Sequence, residues 1–88
     1  MKHYSVEVSQ TAEKELLRLP VRMIERVITV LKLFEENPRP AGSKKLKGYK
    51  NLWRVRVGDY RIIYSIDDVI LLLDVREIGH RKNIYDKL

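Results

Sequence analysis

The chain has 88 residues, a formal net charge of +6 and a hydrophobic content of 44%. This composition is typical of one small folded domain spanning residues 1–88, and it excludes a disordered chain. The absence of cysteine excludes disulfides and thiolate zinc sites, and two histidines are too few for a histidine-built metal centre. With no visible signal peptide or membrane-spanning run, we expect a cytoplasmic protein without a membrane partner.

The first half of the chain predicts a strand followed by two helices. Residues 3–8 alternate apolar and polar side chains, as in a half-buried strand. Ser9 is a suitable N-cap for a first helix, and Pro20 separates it from a second. Apolar residues recur at helical spacing, so we expect an antiparallel helix pair packed on a sheet. They are Ala12, Leu16 and Leu19 in the first helix, and Ile24, Val27, Ile28, Leu31 and Phe34 in the second.

The positive charge is concentrated in the second half of the chain. Residues 1–38 carry six basic and six acidic residues, whereas between Arg39 and Arg61 eight basic residues accompany a single acid, Asp59. Four of the eight are lysines in a predicted loop over residues 39–50. A clustered basic segment indicates a polyanion-binding surface. The alternative is a basic domain whose lysines and arginines are simply solvated.

Residues 52–64 predict a β-hairpin around the two-residue turn Gly58-Asp59. This turn fixes the register, and alternation then places Arg54, Arg56 and Arg61 on one face and the apolar residues, with Tyr60 and Tyr64, on the other. The predicted pairs are Val57 with Tyr60, Arg56 with Arg61, Val55 with Ile62 and Arg54 with Ile63. Like charges opposite each other are destabilising, so an anionic ligand would explain Arg56 against Arg61. A solvent face with the guanidinium groups in water is the other interpretation.

The last predicted strand runs from Val69 to Ile78, and its apolar run over residues 69–73 indicates burial on both faces. A two-residue turn at Asp67-Asp68 would pair Arg61 with Asp74 and place Arg76 on the arginine-bearing face. Residues 80–88 are then a short C-terminal tail or one helical turn. The fold class is α+β, in the order βααβββ, with the helix pair on one face of a mostly antiparallel four-stranded sheet.

This order of elements, together with three segments, resembles the RelE/ParE superfamily of toxins from type II toxin–antitoxin modules. The segments are residues 45–49 (KLKGY), 54–64 (RVRVGDYRIIY) and 78–85 (IGHRKNIY). The resemblance spans essentially the whole chain and is closer to the RelE branch. It implies an endoribonuclease that cuts mRNA in the ribosomal A site, uses no cofactor or metal, and is held in a hetero-oligomer by an acidic antitoxin.

The resemblance also assigns residues. Arg61 matches the family's transition-state arginine, Arg81 the arginine after the last strand, and Tyr85 the C-terminal tyrosine that activates the nucleophile. Arg54 and Arg56 match basic positions that are lysines in the best-known member; because arginine stays protonated, neither is a general base. The predicted catalytic residues are Arg61, Arg81, Tyr85 and Arg56, and the predicted RNA-binding residues are Arg54, Lys44, Lys45, Lys47, Lys50, His80 and Lys82.

The chemistry expected of these residues is attack by the substrate's own 2′-hydroxyl on the adjacent phosphate. Tyr85 and His80 are both candidates for acid or base work, and Tyr85 can equally stack on a base or pack the tail against the sheet. Three other functions stay open at this point. They are a ParE-like gyrase inhibitor, a nucleic-acid-binding module without catalysis, and an inactive member of the superfamily.

Overall fold

The computed structural model describes residues 3–80. Within them lie two helices and five strands in chain order. They are β1 (Ser5–Val8), α1 (Gln10–Leu17), α2 (Val21–Phe34), β2 (Lys44–Lys45), β3 (Trp53–Val57), β4 (Tyr60–Asp67) and β5 (Leu72–His80). The predicted C-terminal tail falls almost entirely outside the described residues.

The strands form one mixed sheet in the order β1-β5-β4-β3-β2. β1 runs parallel to β5, and the remaining neighbours are antiparallel. The α+β class and the helix pair are therefore confirmed, but the sheet has five strands where we expected four. The additional strand, β2, is only two residues long, too short to show a period-2 pattern in a lysine-rich segment.

Both helices pack on one face of the sheet and form the core with it. Val27 and Phe34 of α2 are fully buried, and the Phe34 ring lies 4.5 Å from that of Tyr64 on β4. Burial raises the pKa of Tyr64 to about 12, and its hydroxyl donates to the carbonyl oxygen of Pro38 at 2.9 Å. The Tyr64 hydrogen bond thereby ties the end of the helix pair to the middle of the sheet.

Ser9 caps α1 as predicted and also joins the helix to β5. Its hydroxyl oxygen accepts the N–H of Ala12 at 3.1 Å and donates to the carbonyl of Arg76 at 3.0 Å. Further along α1, Glu15 accepts the N–H of Ile78 at 3.1 Å through Oε1. β1 pairs with β5 only as far as Val75, so Ser9 and Glu15 satisfy backbone groups of β5 beyond the end of β1.

The hairpin of β3 and β4 has the predicted register, with Arg56 opposite Arg61. Gly58 has φ +61°, and a Cβ there would lie 3.0 Å from the Met23 side chain. Asp59 has no positive φ, so the turn is of type II′, which favours glycine at its first central position. The close approach of α2 is a second reason for glycine at this position, because a side chain here would crowd that of Met23.

The predicted register of β5 is wrong. Four residues, 68–71, connect β4 to β5, and Arg61 pairs with Gly79 instead of Asp74, which lies opposite Ser65. Val69 is 92% exposed and Ile70 is 66% exposed, because they form this turn and not a strand buried on both faces. A β-bulge shifts the register again between Ile63 and Tyr64.

An ion pair fixes the start of the lysine-rich loop to the turn between β4 and β5. Arg39 donates to both carboxylate oxygens of Asp68, at 3.2 and 2.8 Å, and lies 4.9 Å from the centre of the Trp53 ring. The hydroxyl of Tyr4 donates to Asp68 at 2.6 Å, and this hydrogen bond raises the pKa of Tyr4. The loop that carries the lysines is thus anchored at its beginning.

Neither helix within residues 3–80 has the length and hydrophobicity of a membrane-spanning segment.

Candidate nucleic-acid interface

The face of the sheet that points away from the helices is the one on which the predicted arginines meet, and we call it the arginine face. Alternation along the paired strands assigns its members. They are Ser5, Glu7, Lys44, Arg54, Arg56, Arg61, Ile63, Ser65, Asp67, Leu72, Asp74, Glu77 and Gly79. The hairpin register thus brings together the arginines that the sequence predicted to share a surface.

Two pairs of like charges lie directly opposite each other on the arginine face. Arg56 is opposite Arg61, and Lys44 is opposite Arg54. Each such pair is unfavourable for the sheet itself. Finding two of them side by side favours a surface arranged to meet negative charge over one arranged for stability alone.

Arg61 is the most unusual side chain on this face, because only 8% of its surface is exposed. Nε and Nη1 of its guanidinium are shielded from solvent without a hydrogen-bond partner, and no ion pair to it exists within residues 3–80. A buried charge without compensation is costly. An anion would offset that cost, provided that the groups shielding these atoms shift to admit it.

Arg56 lies in a different environment from Arg61 although the two residues face each other. It is exposed and lines a groove between β3 and α2, together with Arg26, Thr29 and Val30. Arg54 is partly buried, closer to the short β2. The three arginines therefore differ in exposure: Arg61 is buried, Arg54 is half-buried and Arg56 is exposed.

Glu77 is a member of the arginine face that the sequence analysis missed. The bulge in β5 skips Arg76 and places Glu77 opposite Ile63, next to the pair formed by Arg61 and Gly79. The carboxylate atom Oε2 is buried, and this burial raises the pKa of Glu77, while the nearby charge of Arg76 acts in the opposite direction. The buried residues of β5 are two positions apart from Leu73 to Val75 and three positions apart from Val75 to Ile78. This change of spacing is the sequence signal of the bulge.

The lysines of the loop divide between the two faces. Lys44 lies on the arginine face, whereas Lys45, opposite Trp53, lies on the other. Lys50 and Arg76 line a second groove beside Ser65, so the positive surface continues from Arg54 past the centre of the sheet. Lys47 is exposed in the loop itself.

His80 is not on the arginine face. It pairs with Tyr60, so alternation directs both side chains to the helix side of the sheet, where their rings make an edge-to-face contact at 5.6 Å. His80, predicted to bind RNA and to be a candidate for acid or base work, therefore lies on the opposite face of the sheet from Arg61. Arg81, Lys82 and Tyr85 lie outside the described residues.

Within residues 3–80, no group of three histidine, cysteine, aspartate or glutamate side chains is arranged to hold a metal ion. The arginine face presents fixed positive charges together with four carboxylates, of which Asp74 and Glu77 are half-buried. Such a surface suits the recognition of phosphate groups by paired guanidinium donors.

Comparison with known proteins places this chain in a family. The family described as ParE toxin of type II toxin–antitoxin system, parDE, matches residues 6–85. Toxin RelE3 of Methanocaldococcus jannaschii is 32% identical over 82 residues, which cover 89% of this chain and 91% of that protein.

Solved structures agree with the sequence comparison. The archaeal RelE–RelB complex of Pyrococcus horikoshii contains a chain that matches with a TM-score of 0.81 and 29% identity, over 92% of this chain and 97% of that one. The toxin–antitoxin complex RelBE2 of Mycobacterium tuberculosis gives a TM-score of 0.79 and 27% identity, over 90% of this chain and 99% of that one.

A small α+β domain with these relatives is a toxin of a type II toxin–antitoxin module. The chain belongs to the RelE/ParE superfamily, as the resemblance predicted, and the relatives named above are RelE toxins.

Proposed function

We propose that this toxin is an endoribonuclease that cleaves mRNA in the ribosomal A site and thereby stops translation in the cytoplasm. The observation that carries the proposal is the burial of Arg61, with Nε and Nη1 of its guanidinium lacking a hydrogen-bond partner, on a face with two further arginines. A phosphate diester entering this face supplies the negative charge that no carboxylate within residues 3–80 brings into an ion pair with Arg61.

The nucleophile in this proposal is the 2′-hydroxyl of the substrate, so no metal-bound water is required. Its oxygen attacks the adjacent phosphate, the bond to the 5′-oxygen breaks, and the products are a 2′,3′-cyclic phosphate and a 5′-hydroxyl. Negative charge builds up on the phosphoryl oxygens in the transition state. In this proposal Arg61 stabilises that charge, and loss of one such donor typically lowers a rate by about 10²–10³-fold.

Arg54 and Arg56 orient the RNA in this scheme. Arg56 is exposed and so is available to a flanking phosphate, while Arg54 and Lys44 extend the positive surface toward β2. The groove that Lys50 and Arg76 line would receive the strand further along. The roles of Arg81 and Tyr85, clamping the phosphate and activating the nucleophile, rest on the family resemblance.

An acidic antitoxin is the second partner that we propose. The matching structures from Pyrococcus horikoshii and Mycobacterium tuberculosis are complexes of a toxin with its antitoxin. Charge complementarity favours an acidic partner for this chain, because its net charge of +6 resides wholly in residues 39–88. Such a partner would shield the arginine face in a hetero-oligomer.

Primer extension on an mRNA in a purified translation system tests the proposal. We expect discrete new 5′ ends with the wild-type toxin, their loss with Arg61→Ala, and their persistence with the control Arg22→Ala, which changes an exposed arginine on α2. Dependence of the cuts on ribosomes would establish cleavage in the A site. Growth arrest in cells without any cut mRNA would overturn the proposal and direct the next assay to DNA gyrase.

A further inference from the structure

We propose that the groove beside Tyr49 is a subsite in which one base of the RNA stacks, an inference that rests on the proposed function. This Tyr49 groove is bounded by the loop that precedes β3 and by strands β4 and β5. Its volume is about 420 Å³, within the roughly 300–1,000 Å³ of typical small-molecule sites. One aromatic, one aliphatic, two uncharged polar and two basic side chains line it, namely Tyr49, Leu52, Asn51, Ser65, Lys50 and Arg76.

Tyr49 differs from the other tyrosines in residues 3–80 because its ring is open to a partner. Tyr4 and Tyr64 are buried and donate hydrogen bonds within the fold, and Tyr60 is half-buried on the helix side of the sheet. Tyr49 is 40% exposed and lines the groove. A base that stacks on such a ring strengthens the binding of single-stranded RNA by about 5–150-fold.

Two hydrogen bonds hold the loop that carries Tyr49. The N–H of Leu46 donates to the carbonyl oxygen of Leu52 at 2.8 Å and closes the base of the loop. The side-chain amide of Asn51 donates to the carbonyl oxygen of Ile66 on β4 at 2.7 Å and ties the loop to the sheet. The loop is therefore in place before RNA binds, so stacking on Tyr49 requires little additional ordering.

The charges around the groove distinguish this aromatic ring from an ordinary exposed side chain. Lys50 on the loop and Arg76 on β5 are both exposed, and they suit the phosphates that flank a stacked base. Asp74 lies opposite Ser65, and its carboxylate favours an uncharged base over a phosphate at that position. The groove thus combines a stacking surface with basic side chains that can track an RNA backbone.

The position of the groove relative to Arg61 indicates which base it receives. Ser65 follows Arg61 by four residues on the same face of β4, a separation of roughly 13 Å at the rise of a strand. The base in the groove therefore flanks the scissile phosphate at a distance and does not adjoin it. Tyr49 is a substrate-binding residue that fixes the course of the strand across Arg61, and it takes no part in proton transfer.

Single-turnover cleavage of mRNA on programmed ribosomes tests this subsite. One abasic nucleotide, which keeps its phosphate and 2′-hydroxyl, is placed in turn at each position downstream of the codon that is paired with the P-site tRNA. For wild-type toxin we expect one position beside the cut at which loss of the base lowers the second-order rate constant by about 5–150-fold. Tyr49→Ala should lower the rate on unmodified mRNA by the same factor and should no longer respond to the missing base.

Three further variants separate stacking from other effects. Tyr49→Phe keeps the ring and should behave as the wild type. Lys50→Gln removes only a phosphate contact, so it should lower the rate and retain the response to the missing base. Leu33→Ala is the control, because it removes an exposed apolar side chain from α2, and it should keep both the rate and the response.

The outcomes distinguish failure of the subsite from failure of the proposed function. A Tyr49→Ala variant that is folded by circular dichroism and responds fully to every abasic position would overturn the subsite alone, as would a wild type that responds to none. A base stacked on Tyr85 would occupy another position and keep its response in Tyr49→Ala. Absence of cleavage by the wild type would overturn the proposed function together with the subsite.

Discussion

Arg61 is buried with Nε and Nη1 of its guanidinium lacking a hydrogen-bond partner, and no carboxylate within residues 3–80 forms an ion pair with it. Buried arginines are normally paired, because an unpaired buried charge destabilises the folded state. A residue that is kept despite lowering the stability of the fold indicates a functional role. The sequence identified Arg61 through its place in the hairpin and the family resemblance, but its burial could not be foreseen from the alternation of side chains.

We therefore predict that Arg61→Met makes the protein more stable. Methionine keeps much of the side-chain length but removes donors that lack partners, each of which costs about 1–3 kcal/mol when buried. The free energy of unfolding in urea should rise by about 1 kcal/mol or more. Arg56→Met, at an exposed position across the same pair, should change it by less than about 0.5 kcal/mol.

A lower stability of Arg61→Met than of the wild type would show that the guanidinium is compensated in the fold. The inference that Arg61 is an uncompensated charge that binds an anion would then be wrong.

At the scale of elements, the predictions succeeded where a local rule fixed the geometry. The two-residue turn at Gly58-Asp59 determined the register of β3 against β4, so three arginines were correctly placed on one face. The register of β5 depends on a four-residue turn in which Leu71 adopts φ +55°, and on the bulge beyond it. Neither follows from a period-2 pattern, and this is why Glu77 was missed.

The hydrogen bonds of Ser9 that connect α1 to β5 give a prediction at the scale of elements. Ser9→Ala removes both the N-cap of α1 and the hydrogen bond to the carbonyl of Arg76. Loss of an N-cap costs about 0.5–2 kcal/mol, and we expect a value in the upper half of that range because two bonds are lost. Thermal unfolding measures it, with the exposed Thr11→Ala as control.

Equal melting temperatures for Ser9→Ala and Thr11→Ala would contradict this function of Ser9. The bulge of β5, whose Arg76 carbonyl is held by Ser9, would then be maintained by the sheet alone.

At the scale of the whole molecule, the charge distribution could be read from the sequence, whereas its division between two faces could not. Lys44 and Lys45 are neighbours in the chain, yet pairing with β3 sends them to opposite sides of the sheet. β2 was not predicted, because two lysines in a loop do not form an alternating pattern typical of a strand. The overall class and the helix-covered core were predictable because five apolar positions of α2 recur at helical spacing.

The salt dependence of RNA binding distinguishes the two faces. We predict that Lys44→Gln reduces the slope of log K against log salt for single-stranded RNA by about 0.7, the value for one phosphate contact. Lys45→Gln should leave the slope unchanged, because its side chain lies on the helix side. Equal effects of the two substitutions would mean that RNA does not follow the arginine face.

The most direct test of cleavage by the substrate's own hydroxyl uses an mRNA with a single 2′-deoxynucleotide at the mapped cut site. On ribosomes with wild-type toxin, we predict that cleavage at this position stops and that the unmodified mRNA yields a 2′,3′-cyclic phosphate and a 5′-hydroxyl. Undiminished cleavage of the deoxy substrate would contradict the mechanism, since the nucleophile would then have to come from water or from the protein.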